Sequence, residues 1–393
     1  MNKNSLKIMA WNANGIIRHK NELEAVLNTN KIDICLVSET HLTNQMFATF
    51  TNYNMYCSNH PLHNARGGSA IIIKQSIDHY EDDKICETDF QATTVTLKLL
   101  GTDMSITALY SPPKNKIKYE RYMQLFNKHK GRFVIGGDFN AKNVNWGSRL
   151  TTTKGRELLK AVNNLGCTVM STGNPTYWPT DINKTPDLID FFVTRQIPKT
   201  KMHIEDGIDM NSDHSPIYLY INCQLDKKAK NCYLSNKLTD WEYFKYTLED
   251  NIDLDSDCLI ESINVLEEET EKFTSKIQQS AWKSTPILKQ KNIQQPFPKE
   301  IITLINRKRK IRKQWQTLRY PPLKTELNRL TKLVSEKIKD HKNKLFNLKM
   351  QSFTADKVTD YSLWKTTKNL KRPTVHNPPI KNDNGLWAKS DAD

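Results

Sequence analysis

Phe133-Val134-Ile135-Gly136-Gly137-Asp138-Phe139-Asn140 is the stretch on which the fold turns. A short β-branched and aromatic run predicts a buried strand, the paired glycines predict its sharp end, and an acid and an amide follow at once. The same arrangement recurs along the first 223 residues. Trp11-Asn12-Ala13-Asn14-Gly15 follows the apolar run Leu6–Ala10, Ser38-Glu39-Thr40 follows Ile32–Val37, and Tyr110-Ser111-Pro112-Pro113 follows Met104–Leu109. Pro186-Asp187-Leu188-Ile189-Asp190 leads into Phe191–Val193, and Ser212-Asp213-His214-Ser215 precedes Ile217–Ile221. Strands are expected at Leu6–Asn12, Ile32–Val37, Ser69–Lys74, Thr93–Leu100, Met104–Tyr110, Phe133–Gly136, Ile189–Thr194 and Ile217–Ile221. Helical periodicity falls at Lys20–Asn28, Ile117–Lys128 and Lys154–Leu165. Strands mixed with separated helices predict an α/β (α+β) sandwich of two packed sheets with helices outside.

Beyond Cys223 the pattern changes. Thr239-Asp240-Trp241-Glu242 reads as a capping box, a longer helix is expected over Asp257–Trp282, and prolines 286, 296 and 298 punctuate the next stretch. Helices are expected at Lys299–Leu318 and Leu323–Met350, broken by Tyr320-Pro321-Pro322, with the leucine spacing read as the core of a helical hairpin. The organisation expected is 1–223, a folded domain; 224–298, a partly acidic helical linker; 299–372, a basic helical hairpin; and 373–393, a tail disordered by composition.

Of 393 residues, 58 are Lys or Arg and 43 Asp or Glu, a net charge of +15. The excess is uneven: +4 over 1–223, −8 over 224–271 and +19 over 272–393. A basic third points to a polyanionic partner through phosphate neutralisation. The run Arg307, Lys308, Arg309, Lys310, Arg312 and Lys313 is its candidate nucleic-acid-binding patch, against the plainer reading of a solvated helix face. No run approaches 18 apolar residues, so no membrane partner is expected. Lys3, Lys7, Asn12 and Asn14 interrupt any signal-peptide core. Seven scattered cysteines show neither zinc-knuckle spacing nor a disulfide framework, which suits a reducing intracellular compartment.

Carboxylates and carboxamides at the ends of adjacent strands converge on one rim of a sheet. Such oxygen donors favour a hard cation, Mg²⁺ or Mn²⁺. An Asp at one nitrogen of His214 would fix its tautomer and raise its pKa, and a protonated His suits phosphodiester cleavage, in which charge builds on the phosphoryl oxygens. Taken singly, Glu39 reads as a solvated strand-end acid, Asp138 with Asn140 as an Asx turn, and Tyr110 as a half-buried aromatic. Six such segments in order are not explained that way.

The set Trp-Asn-x-Asn-Gly, Ser-Glu-Thr, Tyr-x-Pro-Pro, Gly-Asp-Phe-Asn, Asp-x-x-Asp-Phe and Ser-Asp-His resembles the endonuclease/exonuclease/phosphatase superfamily. Within that superfamily it resembles the endonuclease domain of jockey-like non-LTR retrotransposons. The resemblance covers residues 1 to about 223 and implies a DNase I-like four-layer sandwich. It implies Glu39 as principal metal ligand, with Asn12 and Asn14 helping to hold the metal and Asp213 as the adjacent acid near it. Mg²⁺ is the implied cofactor, with Mn²⁺ able to substitute. Asp138 is implied to position or deprotonate the attacking water, Asn140 to orient the phosphate, Tyr110 to contact it, and Asp190 to partner His214. The implied activity is nicking of double-stranded DNA to leave a 3′-hydroxyl that primes reverse transcription, in the nucleus, with element RNA as a second partner of the basic region. Asp187 departs from relatives that carry a phosphate-contacting Ser there; an acid would repel phosphate unless turned away or metal-bound. Tyr177–Thr185 occupies the position of a DNA-touching hairpin, and Arg66-Gly67-Gly68 also fits the family. No Tyr/Phe-x-Asp-Asp polymerase signature occurs, so a fragment of a longer element-encoded polyprotein is expected. The alternatives are an abasic-site repair nuclease of the same fold and a catalytically dead nucleic-acid-binding relic.

Overall fold

The computed structural model describes residues 5–98, 103–181, 183–207, 209–223, 234–236, 238–251, 262–286, 297–351, 364, 366 and 367. Its strands are β1 (Ser5–Asn12), β2 (Ile34–Ser38), β3 (Tyr53–Ser58), β4 (Ser69–Lys74), β5 (His79–Glu81), β6 (Ile85–Cys86) and β7 (Gln91–Leu97). Then come β8 (Met104–Tyr110), β9 (Arg132–Asp138), β10 (Thr168–Met170), β11 (Asp190–Arg195), β12 (Met202–Asp206) and β13 (Ile217–Asn222). The helices are α1 (Ile16–Thr29), α2 (Tyr119–Asn127), α3 (Thr153–Asn164), α4 (Trp241–Asn251), α5 (Ile263–Ser284), α6 (Lys299–Leu318) and α7 (Pro321–Gln351). The expected strand at Thr93–Leu100 ends at Leu97; residues 99 and 100 lie outside the described set, as do 257–261 of the expected helix from Asp257 and the tail 373–393.

One sheet has the order β12-β13-β1-β2-β4-β3 and the other β10-β11-β9-β8-β7-β5, with β6 also on β7. The pairs β1–β2 and β8–β9 are parallel and the rest antiparallel. Strand alternation sorts the apolar side chains into layers. Leu6, Ile8 and Ala10 of β1 meet Ile106 and Ala108 of β8 and Val134 of β9 between the sheets. Met9 and Trp11 turn outward against Ile16, Leu23 and Val26 of α1. On the far side, Phe133, Ile135, Phe191 and Val193 pack under Tyr122 and Phe126 of α2 and Leu158 of α3. Helix, sheet, sheet, helix: this is the four-layer sandwich the motifs predict, and burial on both faces explains why its central strands are continuously apolar.

The described residues within 1–226 and 296–393 form one compact unit and those within 227–295 a second. The basic hairpin therefore does not stand apart from the sandwich: Ile301 and Ile305 of α6 and Val334 and Ile338 of α7 close over Ala25 of α1. The expected break between the two helices falls at Arg319, which turns the chain at φ 52°, and α7 opens at Pro321, two residues before the expected Leu323; proline is well suited to a first turn because the missing amide has no partner there. In the second unit α4 packs on α5. Its cap lies one residue later than the expected box, because the Asp240 carboxylate rather than the Thr239 hydroxyl accepts from the Tyr243 amide (2.9 Å).

Candidate active site

Register decides where the polar residues gather. In the second sheet Tyr110 stands opposite Asp138 and Asp138 opposite Asp190. In the first, Asn12 stands opposite Ser38. The parallel strands β1, β2, β8 and β9 all end at this rim, while the antiparallel β11 begins there and the loop carrying His214 enters β13 there. Ser38 stitches the sheets together: its hydroxyl donates to the Leu109 carbonyl (2.8 Å) and accepts from the Asp138 amide (3.1 Å). Gly137 permits this closeness. It has φ 144°, and any Cβ would collide with the Leu109 carbonyl oxygen.

Asp138 is 1% exposed. Asn12 Nδ2 donates to its Oδ2 (2.9 Å) and the Asn140 amide to its Oδ1 (3.0 Å). Asn140 Nδ2 donates to the Ser111 carbonyl (3.2 Å). The Asn14 amide donates to Asn12 Oδ1 (3.0 Å), and Asn14 Nδ2 to Asp213 Oδ1 (3.2 Å). His214 Nδ1 lies 2.7 Å from Asp190 Oδ2, both residues buried, and Tyr177 packs its ring 5.0 Å from the imidazole. Glu39 lies 3.3 Å from His41 Nε2, and Asn12 and Tyr110 also hydrogen-bond to it. Asn14, Glu39, His41 and Asn140 all hold positive φ, between 44° and 53°. Strained backbone outside glycine collects where surrounding structure over-determines side-chain direction, and here it marks one rim.

The electrostatics follow from burial and neighbours. Burial pushes His214 toward neutrality, but the Asp190 carboxylate, with Asp138 and Asp213, wins and raises it to about 10. Burial raises Asp138, with Asp190 and Glu39 adding to the effect against the charge of His214 and the bond from Asn12. Burial also pushes Glu39 up, yet the bonds from His41, Asn12 and Tyr110 and the charge of His214 hold it below the ordinary carboxylate range. The site thus pairs an ionised glutamate with a cationic imidazole across a proton-hungry aspartate, the separation of roles that acid–base chemistry uses.

Asp138, Asp190 and His214 offer ligand atoms within 4.8 Å of one another, a group able to hold a metal ion. None of the four residues expected around the metal belongs to this group; Asn12 hydrogen-bonds both Asp138 and Glu39, and Asn14 hydrogen-bonds Asp213. Asp190 Oδ1 is buried without a hydrogen-bond partner among the described residues. Open carboxylate oxygen of this kind fits a hard divalent cation.

The sequence reading missed His41, Ser38 and Lys154. Lys154 Nζ donates to the carbonyls of Ser111 (3.3 Å) and Pro112 (2.9 Å). Burial lowers its pKa to about 8 against the pull of Asp138. Nothing in Thr152-Thr153-Lys154 separates it from a solvent-facing lysine. Asp187 is turned away from the rim: its carboxylate meets Lys142 Nζ (2.9 Å) and the Arg149 amide (2.9 Å). The repulsion expected of an acid there is thereby removed, and so is any phosphate contact by its side chain. The basic run also divides. Arg307, Lys310 and Lys313 are exposed and Arg309 half-buried. Lys308 and Arg312, expected to face nucleic acid, are 1% and 5% exposed and spent on internal partners. Lys308 Nζ pairs with Glu22 Oε1, and Arg312 donates to the Ser212 carbonyl.

Residues 104–218 match the family described as Endonuclease-reverse transcriptase, a span that contains β8, β9, β11 and the His214 loop. Over 98% of its length the chain is 28% identical to the "Probable RNA-directed DNA polymerase from transposon X-element" of Drosophila melanogaster. Over 99% it is 29% identical to the "RNA-directed DNA polymerase from mobile element jockey" of the same organism. The likeness to jockey-like non-LTR element proteins thus runs through the C-terminal helices as well as the sandwich. The chain spans 43% of the length of each of these relatives. Among solved structures, the "Endonuclease domain of TRAS1, a telomere-specific non-LTR retrotransposon" aligns with a TM-score of 0.48 at 18% identity, covering 56% of this chain and 99% of that one. An AP endonuclease from Leishmania major aligns at 0.46 and 12%, covering 56% and 88%.

Proposed function

We propose that this chain is a divalent-metal-dependent DNA endonuclease of a jockey-like element, hydrolysing one phosphodiester of a duplex. The observation that carries the proposal is Asp138, held from both sheets by Asn12 and Asn140 and facing the buried Asp190–His214 pair. Asp138 orients and deprotonates the attacking water; the upward push on its pKa suits it to take a proton. His214, its Nδ1 committed to Asp190, turns its remaining ring N–H and its positive charge toward the phosphoryl oxygens, where negative charge builds. Asn140 and Tyr110 orient the phosphate. Glu39, with Asp213 and the carboxamides of Asn12 and Asn14, would hold Mg²⁺, or Mn²⁺ in its place. That ion would supply Lewis-acid neutralisation of phosphate charge.

Cleavage on this reading leaves a 3′-hydroxyl and a 5′-phosphate, and the 3′-hydroxyl primes reverse transcription by the longer element protein, in the nucleus. Arg307, Lys310 and Lys313 are the exposed members of the basic run that would grip duplex DNA or element RNA, Arg307 from within an ion pair with Glu326 (3.0 Å). Their contribution is tested by the affinity of the whole chain for DNA and RNA against salt: a steep negative slope is expected, and a flat response defeats it. Among the described residues no helix is long and apolar enough to cross a membrane. The activity is tested on supercoiled plasmid with Mg²⁺. Nicked circles whose ends a template-directed polymerase extends are expected. Cleavage confined to duplexes carrying an abasic site would replace the proposal with a repair nuclease, and no cleavage in Mg²⁺ or Mn²⁺ would leave a relic.

A further inference from the structure

The loop that presents His214 is gripped from outside the sandwich. Arg312 of α6 donates through Nη2 to the Ser212 carbonyl, and its Nε lies 3.9 Å from Asp209 Oδ1. Ser212 is the hinge of the site: its hydroxyl donates to the Asn12 carbonyl (2.7 Å) and accepts from the His214 amide (3.1 Å). Just past the end of α6, Arg319 Nη1 donates to the Pro179 carbonyl (3.0 Å). The neighbouring Trp178 amide donates to the Asp213 carbonyl (2.8 Å). Both segments flanking the imidazole are therefore tied to α6 and the residue that follows it. Burying a guanidinium is costly, and an apolar side chain of similar volume packs at least as well. A buried arginine aimed at a main-chain carbonyl is better explained by the position it fixes than by the stability it adds.

We propose that Arg312 is a positioning residue for the nuclease reaction, and that α6 completes the active site by setting the loop that carries Asp213 and His214. The inference rests on the endonuclease reading above. It makes cleavage depend on the basic hairpin, so a chain whose α6 is detached loses rate rather than substrate affinity.

The test uses the full chain with Asp209→Asn/Arg312→Met, which keeps side-chain volume and leaves no charge unpaired in the Asp209–Arg312 pair. Plasmid nicking is expected to lose on the order of 100-fold in kcat, the scale of a small misplacement of reacting groups, with KM within about twofold. Arg312→Lys, which retains a donor and a charge, is expected to recover part of kcat. Amide hydrogen exchange read in parallel is expected to quicken at residues 212–214 in the double variant. A double variant that nicks at the wild-type rate, or whose 212–214 amides exchange as in wild type, overturns the inference. Wild-type chain that fails to nick defeats the endonuclease reading instead, and the exchange measurement still decides whether Arg312 holds the loop.

Discussion

Replacing Asp190 with Asn removes the anion that keeps His214 charged while leaving a side chain of the same shape against it. In the native chain the imidazole pKa stands at about 10 because Asp190, 2.7 Å away, together with Asp138 and Asp213 outweighs burial. With Asp190 neutral, Asp138 and Asp213 remain, but burial is the largest influence and acts downward. We expect the pKa to fall to the ordinary value of about 6.5 or below. At pH 7.5 about one imidazole in ten, or fewer, is then protonated, so about tenfold in rate is lost from protonation alone. More is lost because the ring's tautomer and orientation are no longer fixed. The signature lies in the pH profile of kcat/KM for plasmid nicking. Beyond the rise that ionisation of Asp138 imposes, the wild-type rate should hold until pH approaches 10 and fall above it, whereas the Asp190→Asn rate should already fall from about pH 6.5 upward. An Asp190→Asn profile parallel to wild type and merely lower would refute the claim that Asp190 acts by keeping His214 cationic. The linkage has the same sign in stability. A group whose folded pKa is raised above its unfolded value of about 6.5 stabilises the fold fully below that pH, and the contribution fades as pH climbs toward 10.

Other outcomes rest on the same geometry. Glu39→Ala should nearly abolish nicking while leaving the urea midpoint close to wild type, since the carboxylate is partly open and Asn12 retains its bond to Asp138; an active Glu39→Ala chain would remove it from the metal set. Lys308→Met leaves Glu22 buried and unpaired and should cost about 3–5 kcal/mol in urea unfolding, whereas Glu22→Gln/Lys308→Met should recover most of that loss. Equal destabilisation in single and double variants would deny the pair. Gly137→Ala should destabilise by about 1–3 kcal/mol and impair nicking, because a side chain there must push β9 from β8 and displace Asp138. A Gly137→Ala chain with wild-type stability and rate would show that the close approach at Leu109 is not needed.

What the sequence carried, and what it did not, has a single structural cause. The eight strands legible from apolar runs are interior to their sheets, buried on both faces. The five that were not, Tyr53–Ser58, His79–Glu81, Ile85–Cys86, Thr168–Met170 and Met202–Asp206, lie at or against sheet edges. Edge strands are short and half-exposed, and polar residues interrupt their alternation. Site residues announced by motif, such as Asp138, Asn12 and His214, were brought together by strand register, which the chain encodes locally. Lys154, Lys308 and Arg312 gave no such signal, because their meaning depends on a partner far along the chain. Glu22 lies 286 residues from Lys308, and Ser212 100 from Arg312. A run of basic residues looks solvated until its acidic partners are located.

The central claim is that side chains from distant stretches meet at one rim to break a phosphodiester. It is tested most directly by incubating the chain with supercoiled plasmid and Mg²⁺, beside Asp138→Asn and His214→Ala. Nicked circles from wild type, none in EDTA, and losses of about 10²–10⁴ in rate for each variant are predicted. Nicking that survives both substitutions, or that is indifferent to EDTA, would contradict it.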